Sequence, residues 1–244
     1  VLPLDECEKA IKRHQKVALS WSGGKDSTAV LFYLQPFWPL MTIYWLNTGD
    51  GPAETMELAE KVRRLVPNFV EITSDSLSDM NENGYPFEAV PESLTYASYL
   101  ASGVKPPIVV RPRLECCWKN IMQPCMTRIV EDGNTLVIRG QKEGDPLRNH
   151  LLKSGDVKDD IEFLFPIDDE SDTSILEWLR QHHPEFVHVA YDLGDRGLTD
   201  CIHCTADYGD GDGIRNRYPS IADERLRLRR YVAHELIAVV RLVC

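Results

Sequence analysis

The sequence predicts an α/β fold: a parallel sheet with helices on both faces and a helical C-terminal extension. Three observations predict it. Short apolar runs alternate with stretches whose apolar residues recur at helical spacing. One run, Leu40 to Leu46, is apolar nearly throughout, as parallel strands buried on both faces are. The first run leads through a glycine turn into a helix, and the strand–helix–strand order that follows implies right-handed crossovers. At 244 residues the chain fits one domain, 1–244, with about 205–244 as a loop and helix extension.

Each element has its own warrant. Asp5 to Gln15 is expected to be a helix covering the sheet. Val17, Ala18, Leu19 and Trp21 form the first strand, Ser22 to Ser27 the turn, and Thr28 to Leu34 the first turns of a helix that Pro36 and Pro39 break. Leu40 to Leu46 is the second strand, and Pro52 to Val66 a helix with Met56, Leu58, Ala59, Val62 and Leu65 at helical spacing. Phe69 to Thr73 is the third strand. From Ser74 to Pro107 glycines and prolines punctuate an irregular segment with short helices, a candidate lid. Glu115 to Val130 is helical with Pro124 a candidate kink, and Thr135 to Ile138 is the fourth strand. Ile161 to Ile167 is extended, Ser171 to His182 is a helix capped by Asp172 or Thr173, and Ile221 to Val243 is an amphipathic helix.

Composition narrows the function. Hydrophobic content of 43% and charged content of 27% are ordinary for a soluble globular chain. No run is apolar and long enough to cross a membrane, and the charged stretch Asp5 to Lys9 stands where a signal peptide would be apolar. A cytoplasmic location is therefore expected. The net charge of −11 argues against a protein that coats nucleic acid, though not against a local basic pocket. Seven cysteines without a secretory signal suggest thiols kept reduced for metal or catalysis.

The turn Ser22-Gly23-Gly24-Lys25-Asp26-Ser27 carries the chemistry. Glycines let backbone N–H groups approach a phosphate, and the helix N-terminus adds partial positive charge. Ser22 and Ser27 add hydroxyls and Lys25 a point charge. Neither G-x-x-x-x-G-K-[ST] nor G-x-G-x-x-G is present. Ligands of open parallel sheets sit beyond the carboxyl ends of the strands. Asn47-Thr48-Gly49 and Arg139-Gly140-Gln141-Lys142, with Arg148 close by, fall at that edge too.

The loop resembles the SGGxDS pyrophosphate loop (PP-loop) of the adenine nucleotide alpha hydrolase-like superfamily, with its Rossmann-like (HUP-type) sheet. Asn47-Thr48-Gly49 with Glu54-Thr55 resembles the DTG…PET signature of the phosphoadenylylsulfate (PAPS) reductase family, with Asn47 for Asp and Ala53 for Pro. Arg139 to Arg148 resembles the stretch that holds the sulfate or phosphate end. Phe165 to Asp169, with Thr173, Ile175 and Trp178, is a looser match. The resemblance spans about 17–204. It implies a nucleotide site formed by Ser20, Ser22, Gly23, Gly24, Lys25, Asp26, Ser27, Asn47, Thr48, Gly49, Arg139, Gly140, Lys142 and Arg148.

Cys116-Cys117 are adjacent and Cys201-Ile202-His203-Cys204 is C-x-x-C. Two close thiol pairs suit an iron–sulfur cluster or zinc, and adjacent cysteines are awkward for a zinc knuckle. The pattern resembles the 4Fe–4S ligands of adenylylsulfate (APS) reductases, with Lys119 and Pro124 in comparable places. Zinc and free thiols remain alternatives. His203 is taken as a spacer, Cys125 as core, and Arg225, Arg227, Arg229 and Arg230 as the solvated face of the last helix. Asp207 to Asp212 lacks the form of an EF-hand and is taken as an acidic loop.

The resemblance implies reduction of APS or PAPS to sulfite by a homo-oligomer served by a thiol reductant such as thioredoxin. Lys25, Arg139 and Cys244 would be the catalytic residues. The family's nucleophile lies in a Glu-Cys-Gly-Leu-His tail that this sequence lacks, and Cys244 is the only cysteine after the C-x-x-C. The intact loop favours an alternative: an ATP pyrophosphatase, with Mg²⁺, that adenylates a substrate such as a nucleic acid for sulfur transfer. A non-catalytic nucleotide or redox sensor is a third class.

Overall fold

The computed structural model describes residues 1–145, 152–192, 201–206 and 212–243. Arg148, Cys244 and most of the acidic stretch 207–212 lie outside the described residues. In chain order the first half comprises α1 (Leu4–Arg13), β1 (Val17–Ser20), α2 (Lys25–Tyr33), β2 (Thr42–Asn47), α3 (Ala53–Leu65), β3 (Phe69–Thr73), α4 (Ser76–Asn83), β4 (Tyr85–Phe87), α5 (Tyr96–Ser102) and β5 (Val110–Pro112). Then come α6 (Arg113–Cys117), a π-helical turn (Trp118–Met122) and α7 (Gln123–Glu131). β6 (Leu136–Arg139), β7 (Val157–Lys158), β8 (Ile161–Leu164), α8 (Asp172–His182), α9 (Asp212–Arg217) and α10 (Pro219–Val243) complete it.

The main sheet has the strand order β3-β2-β1-β6-β8-β7. All neighbours are parallel except β7, which pairs antiparallel with β8 at the edge. β1 is central, flanked by β2 and β6 in register, so Ser20 lies beside Arg139 at the carboxyl edge. Successive β1 residues serve opposite faces. Leu19 joins Ile11, Val30, Leu31 and Val62 on one side; Ala18 joins Ile129, Val137 and Phe163 on the other. Burial on both faces is why these runs are apolar throughout. The parallel sheet with helices around it agrees with the sequence-based expectation.

Four expectations are corrected. The segment 74–107 is not merely irregular: β4 pairs in parallel with β5, and Phe87, Leu94 and Val110 form a small core with Leu228 and Val232 of α10. Strands of three residues carrying Pro86 or Pro112 leave no period to detect. α2 begins at Lys25, before its apolar residues, because its first turn faces the loop. Ser171, not Asp172 or Thr173, caps α8, its side chain accepting from the Ser174 N–H at 3.1 Å. Arg225 is not solvated but 1% exposed. Among the described residues no helix is long and apolar enough to cross a membrane.

Candidate functional site

The loop after β1 is fixed by its own polar groups. Ser27 Oγ accepts the Ser22 N–H at 3.1 Å and donates to the Gly24 carbonyl at 3.1 Å. The Trp21 indole N–H donates to the buried Thr28 hydroxyl at 3.1 Å, tying strand to helix. Gly23 has φ +82°, a left-handed turn that a side chain would strain. Gly24 caps α2 without a side-chain acceptor, so the helix start presents N–H groups and partial positive charge. Gly140 explains how the next strand's loop comes so close. A Cβ there would lie 2.6 Å from the Ser27 nitrogen.

Two lysines and two carboxylates stand over this loop. Lys25 Nζ lies 2.6 Å from Asp26 and 2.8 Å from Asp172. Lys142 Nζ lies 2.8 Å from Asp26 and also pairs with Asp172. Burial pushes the Lys25 ammonium down, but its bonds to Asp172 and Asp26 outweigh this and hold it raised. Hydrogen bonds from Lys142 and Lys25 draw the Asp172 carboxyl down to about 2. The Lys25 backbone N–H donates to the Tyr191 hydroxyl at 2.9 Å.

Arg139 sits deeper, its guanidinium 5.5 Å over the Phe163 ring. Burial lowers its pKa. Its hydrogen bonds reach Met126 Sδ at 2.7 Å and Gln141 Oε1 at 3.4 Å, and no carboxylate pairs with it among the described residues. A cleft of about 300 Å³ opens here, with Ser22, Gly24 and Ser27 on one side and Arg139 and Gly140 on the other. Ile121, Met122 and Cys125 line it from the π-turn and α7. Cys125 packs against the core as expected, yet also faces this cleft. Ser20 lines it too, its buried hydroxyl beside the Cys125 thiol and without a hydrogen bond of normal geometry.

Asn47, Thr48 and Gly49 do not line that cleft; they form the turn after β2. Asn47 donates to Glu71 Oε1 at 2.9 Å and accepts the Gly49 N–H at 3.0 Å. Asp50, next in the chain and 4% exposed, reaches the C-x-x-C instead. Its carboxylate lies 2.5 Å from His203 Nδ1 and accepts the His203 N–H at 3.0 Å, and its carbonyl accepts the Ile202 N–H at 2.8 Å. His203 is thus a clamp of that loop, not a spacer. Arg225 and Arg229 of α10 donate to the Ile202 and Thr205 carbonyls at 3.4 Å and 3.0 Å.

Cys116 and Cys117 close α6. Cys116 Sγ accepts from Arg111 at 3.2 Å and from Asn120 at 3.7 Å. Behind it, Asp79 accepts from Arg111, from Lys119 at 2.5 Å and from Asn120 at 2.7 Å. Burial would raise the Asp79 carboxyl, but Lys119, Asn120 and Arg111 hold it well below the usual range. Cys201 Sγ lies 3.4 Å from the Ser76 hydroxyl. Burial raises the Cys116 thiol, and the Arg111 guanidinium beside it opposes that rise. Arg113 feels both Cys117 and Cys204. Among the described residues, no three His, Cys, Asp or Glu side chains are gathered as at a metal centre.

Sequence reasoning missed Asp172 and Tyr191 at the loop and Asp79, Arg111 and Asp50 at the cysteines. Asp172 offered only a helix-start signal, and none of the others lies within a recognisable spacing of its partners.

No family model matches the chain, and no curated protein matches by sequence. Among solved structures, a phosphoadenylyl-sulfate reductase from Candida auris, a phosphate complex, is similar with a TM-score of 0.56 and 14% identity over 82% of this chain and 88% of that one. The U34-tRNA thiolase NcsA from Methanococcus maripaludis, with its [4Fe-4S] cluster, gives a TM-score of 0.43 and 13% identity over 95% of this chain and 79% of that one. The chain therefore has the α/β fold of the phosphoadenylyl-sulfate reductase.

Proposed function

We propose that the chain is an adenine-nucleotide enzyme that reduces activated sulfate, APS or PAPS, to sulfite and adenosine phosphate. One observation carries this reading: a phosphate cleft and a thiol site share one helical run. Arg113–Glu131 has the cysteine pair near its start and Ile121, Met122 and Cys125 on the cleft of the glycine loop. Loop N–H groups, Ser22, Ser27 and Lys25 would take the nucleotide phosphate. Arg139, half-buried and without a carboxylate partner among the described residues, suits the sulfate end. A dithiol such as thioredoxin would supply the two electrons, becoming a disulfide as the sulfur–oxygen bond to the nucleotide breaks.

The four cysteines fit a 4Fe–4S cluster by donor chemistry. The four thiols come as two pairs in the sequence, Arg111 and Asn120 donate to Cys116 Sγ, and Arg113 and Lys119, paired with Glu88 and Asp79, stand on the same helical run. Cys116, Cys117, Cys201 and Cys204 would hold it, and it would tune the electrostatics near the sulfate end in a non-redox role. Arg111 and Lys119 would set the field around those sulfurs.

A second reading, an ATP pyrophosphatase that prepares a substrate for sulfur transfer, is favoured by Lys25 and Lys142 together over an intact loop. Mg²⁺ would then accompany ATP, and nucleic acid becomes a candidate substrate.

The test uses anaerobically purified protein. APS or PAPS with a dithiol should give sulfite and adenosine phosphate, and the protein should contain about four irons per chain. AMP and pyrophosphate from ATP, with no sulfite from either sulfonucleotide, would transfer the assignment to the second reading. Absence of binding by all three nucleotides would overturn both.

A further inference from the structure

Asp172 and the two lysines raise a question about how the loop treats anions. Lys142 is 7% exposed, and leaving its charge unpaired there would be costly. Asp26 bridges both lysines, one carboxylate oxygen to each, and its side chain is 24% exposed. Asp172 also touches both, but its side chain is 72% exposed, at the first turn of α8. It is therefore the partner that can leave at little desolvation cost. The quartet of Lys25, Lys142, Asp26 and Asp172 is formally neutral. Tyr191 similarly takes the first N–H of α2, a donor that an incoming phosphate would use.

We propose that Asp172 is a specificity-determining residue: an internal anion that occupies the lysines and excludes free inorganic anions from the phosphate site. This rests on the nucleotide reading above and holds for either of its branches. A phosphate, sulfate or pyrophosphate ion must displace a carboxylate that is covalently part of the chain, and brings no nucleoside contacts to offset that. A nucleotide is anchored by its nucleoside as well, so its phosphate chain can exchange with Asp172. On exchange Lys25 and Lys142 keep their counter-charge, now from the ligand, and the Asp172 carboxylate passes to solvent.

The probes are inorganic pyrophosphate and ATP, titrated calorimetrically against the full chain and its Asp172→Asn and Asp172→Glu variants. Loss of one charge-assisted competitor should tighten pyrophosphate binding about tenfold in Asp172→Asn. ATP should tighten by a smaller factor, so discrimination between the two narrows. Asp172→Glu should restore the wild-type ratio. The site also gains one positive charge in Asp172→Asn, so pyrophosphate binding should fall more steeply with salt, which a merely loosened α8 would not cause. Unchanged or weaker pyrophosphate binding in Asp172→Asn, with wild-type ATP binding intact, overturns this inference and leaves the nucleotide reading standing. Failure of every form to bind ATP or pyrophosphate overturns this inference, and failure with APS and PAPS as well overturns the nucleotide reading.

Discussion

The proposed phosphate cleft and the cysteine site lie along one helical run but are built in opposite ways. The cleft rests on six contiguous residues, Ser22 to Ser27, pressed against one glycine of the neighbouring strand's loop. Its charges are paired at a rim where Asp172 is largely exposed. The cysteine site gathers Asp50, Ser76, Asp79, Arg111, Cys116, Cys201 and Arg225 from separate segments. Its charges are buried: Asp79 is 9% and Arg111 4% exposed. A locally encoded site can lose a polar contact and stay folded, whereas a site assembled from distant buried charges ties folding to its electrostatics.

The largest effect should come from breaking the buried network. Asp79→Ala leaves Arg111 without its counter-charge and should cost about 3–5 kcal/mol in chemical denaturation. Asp172→Ala, the corresponding loss at the exposed rim, should fall within about 0.5 kcal/mol. Equal losses would erase the distinction between the sites. Replacing both Asp79 and Arg111 by apolar residues of similar volume should recover much of the loss.

Next comes Gly140→Ala. The added methyl meets the backbone of Asp26 and Ser27 at 2.6–2.7 Å, so the loop or the first turn of α2 must shift. A displacement of about 1 Å can lower turnover about a hundredfold, and nucleotide turnover should fall accordingly. The reactivity of Cys116, Cys117, Cys201 and Cys204 toward a thiol reagent should not change. Lys25→Ala should weaken nucleotide binding by about 1.5–3 kcal/mol, as loss of a charge-assisted bond does. Denaturation midpoints close to wild type in Lys25→Ala would confirm that the loop is separable from the fold.

The same contrast decides what the sequence reveals. β1, the loop and α2 form one contiguous stretch, so apolar runs, paired glycines and polar residues announce the proposed phosphate site directly. Arg139 and Gly140 are legible because a parallel sheet sends every strand end to one edge. Asn47 stands at that edge too, but its amide is spent on Glu71 and the Gly49 N–H. Cys116-Cys117 and the C-x-x-C are visible as spacings. What supports them is not: Asp79 meets Arg111 across 32 positions and Asp50 meets His203 across 153. Arg225 belongs to a stretch of alternating arginines that looks like a solvated face, and only α10 packing on the small sheet shows it buried.

The smallest expected effect concerns His188, which links the cleft to α3. The residue is 3% exposed; its Nε2 lies 2.9 Å from the Thr55 hydroxyl and its Nδ1 accepts the Ala190 N–H at 3.1 Å. With Nδ1 an acceptor, the neutral ring carries its proton on Nε2 and donates to Thr55. Thr55 in turn packs beside Gly23, where a Cβ would meet its methyl at 3.6 Å. Burial pushes the His188 pKa below its ordinary value, opposed by the nearby Glu54 carboxylate. The folded state therefore favours the neutral ring. Above about pH 6.5 the ring is neutral in both folded and unfolded chains, and its contribution to stability is complete. As pH falls below that value the unfolded chain takes up the proton first, so stability declines until the pH passes the folded pKa. His188→Asn, which keeps an acceptor and a donor without titrating, should flatten the difference in urea midpoint between pH 7 and pH 5. An equal decline in wild type and variant would place the acid sensitivity in another group; Asp79, held well below the usual carboxylate range, gives up its contribution only below about pH 4. Because Thr55 touches the loop at Gly23, the wild type should also lose nucleotide affinity over the same interval, and the variant should not.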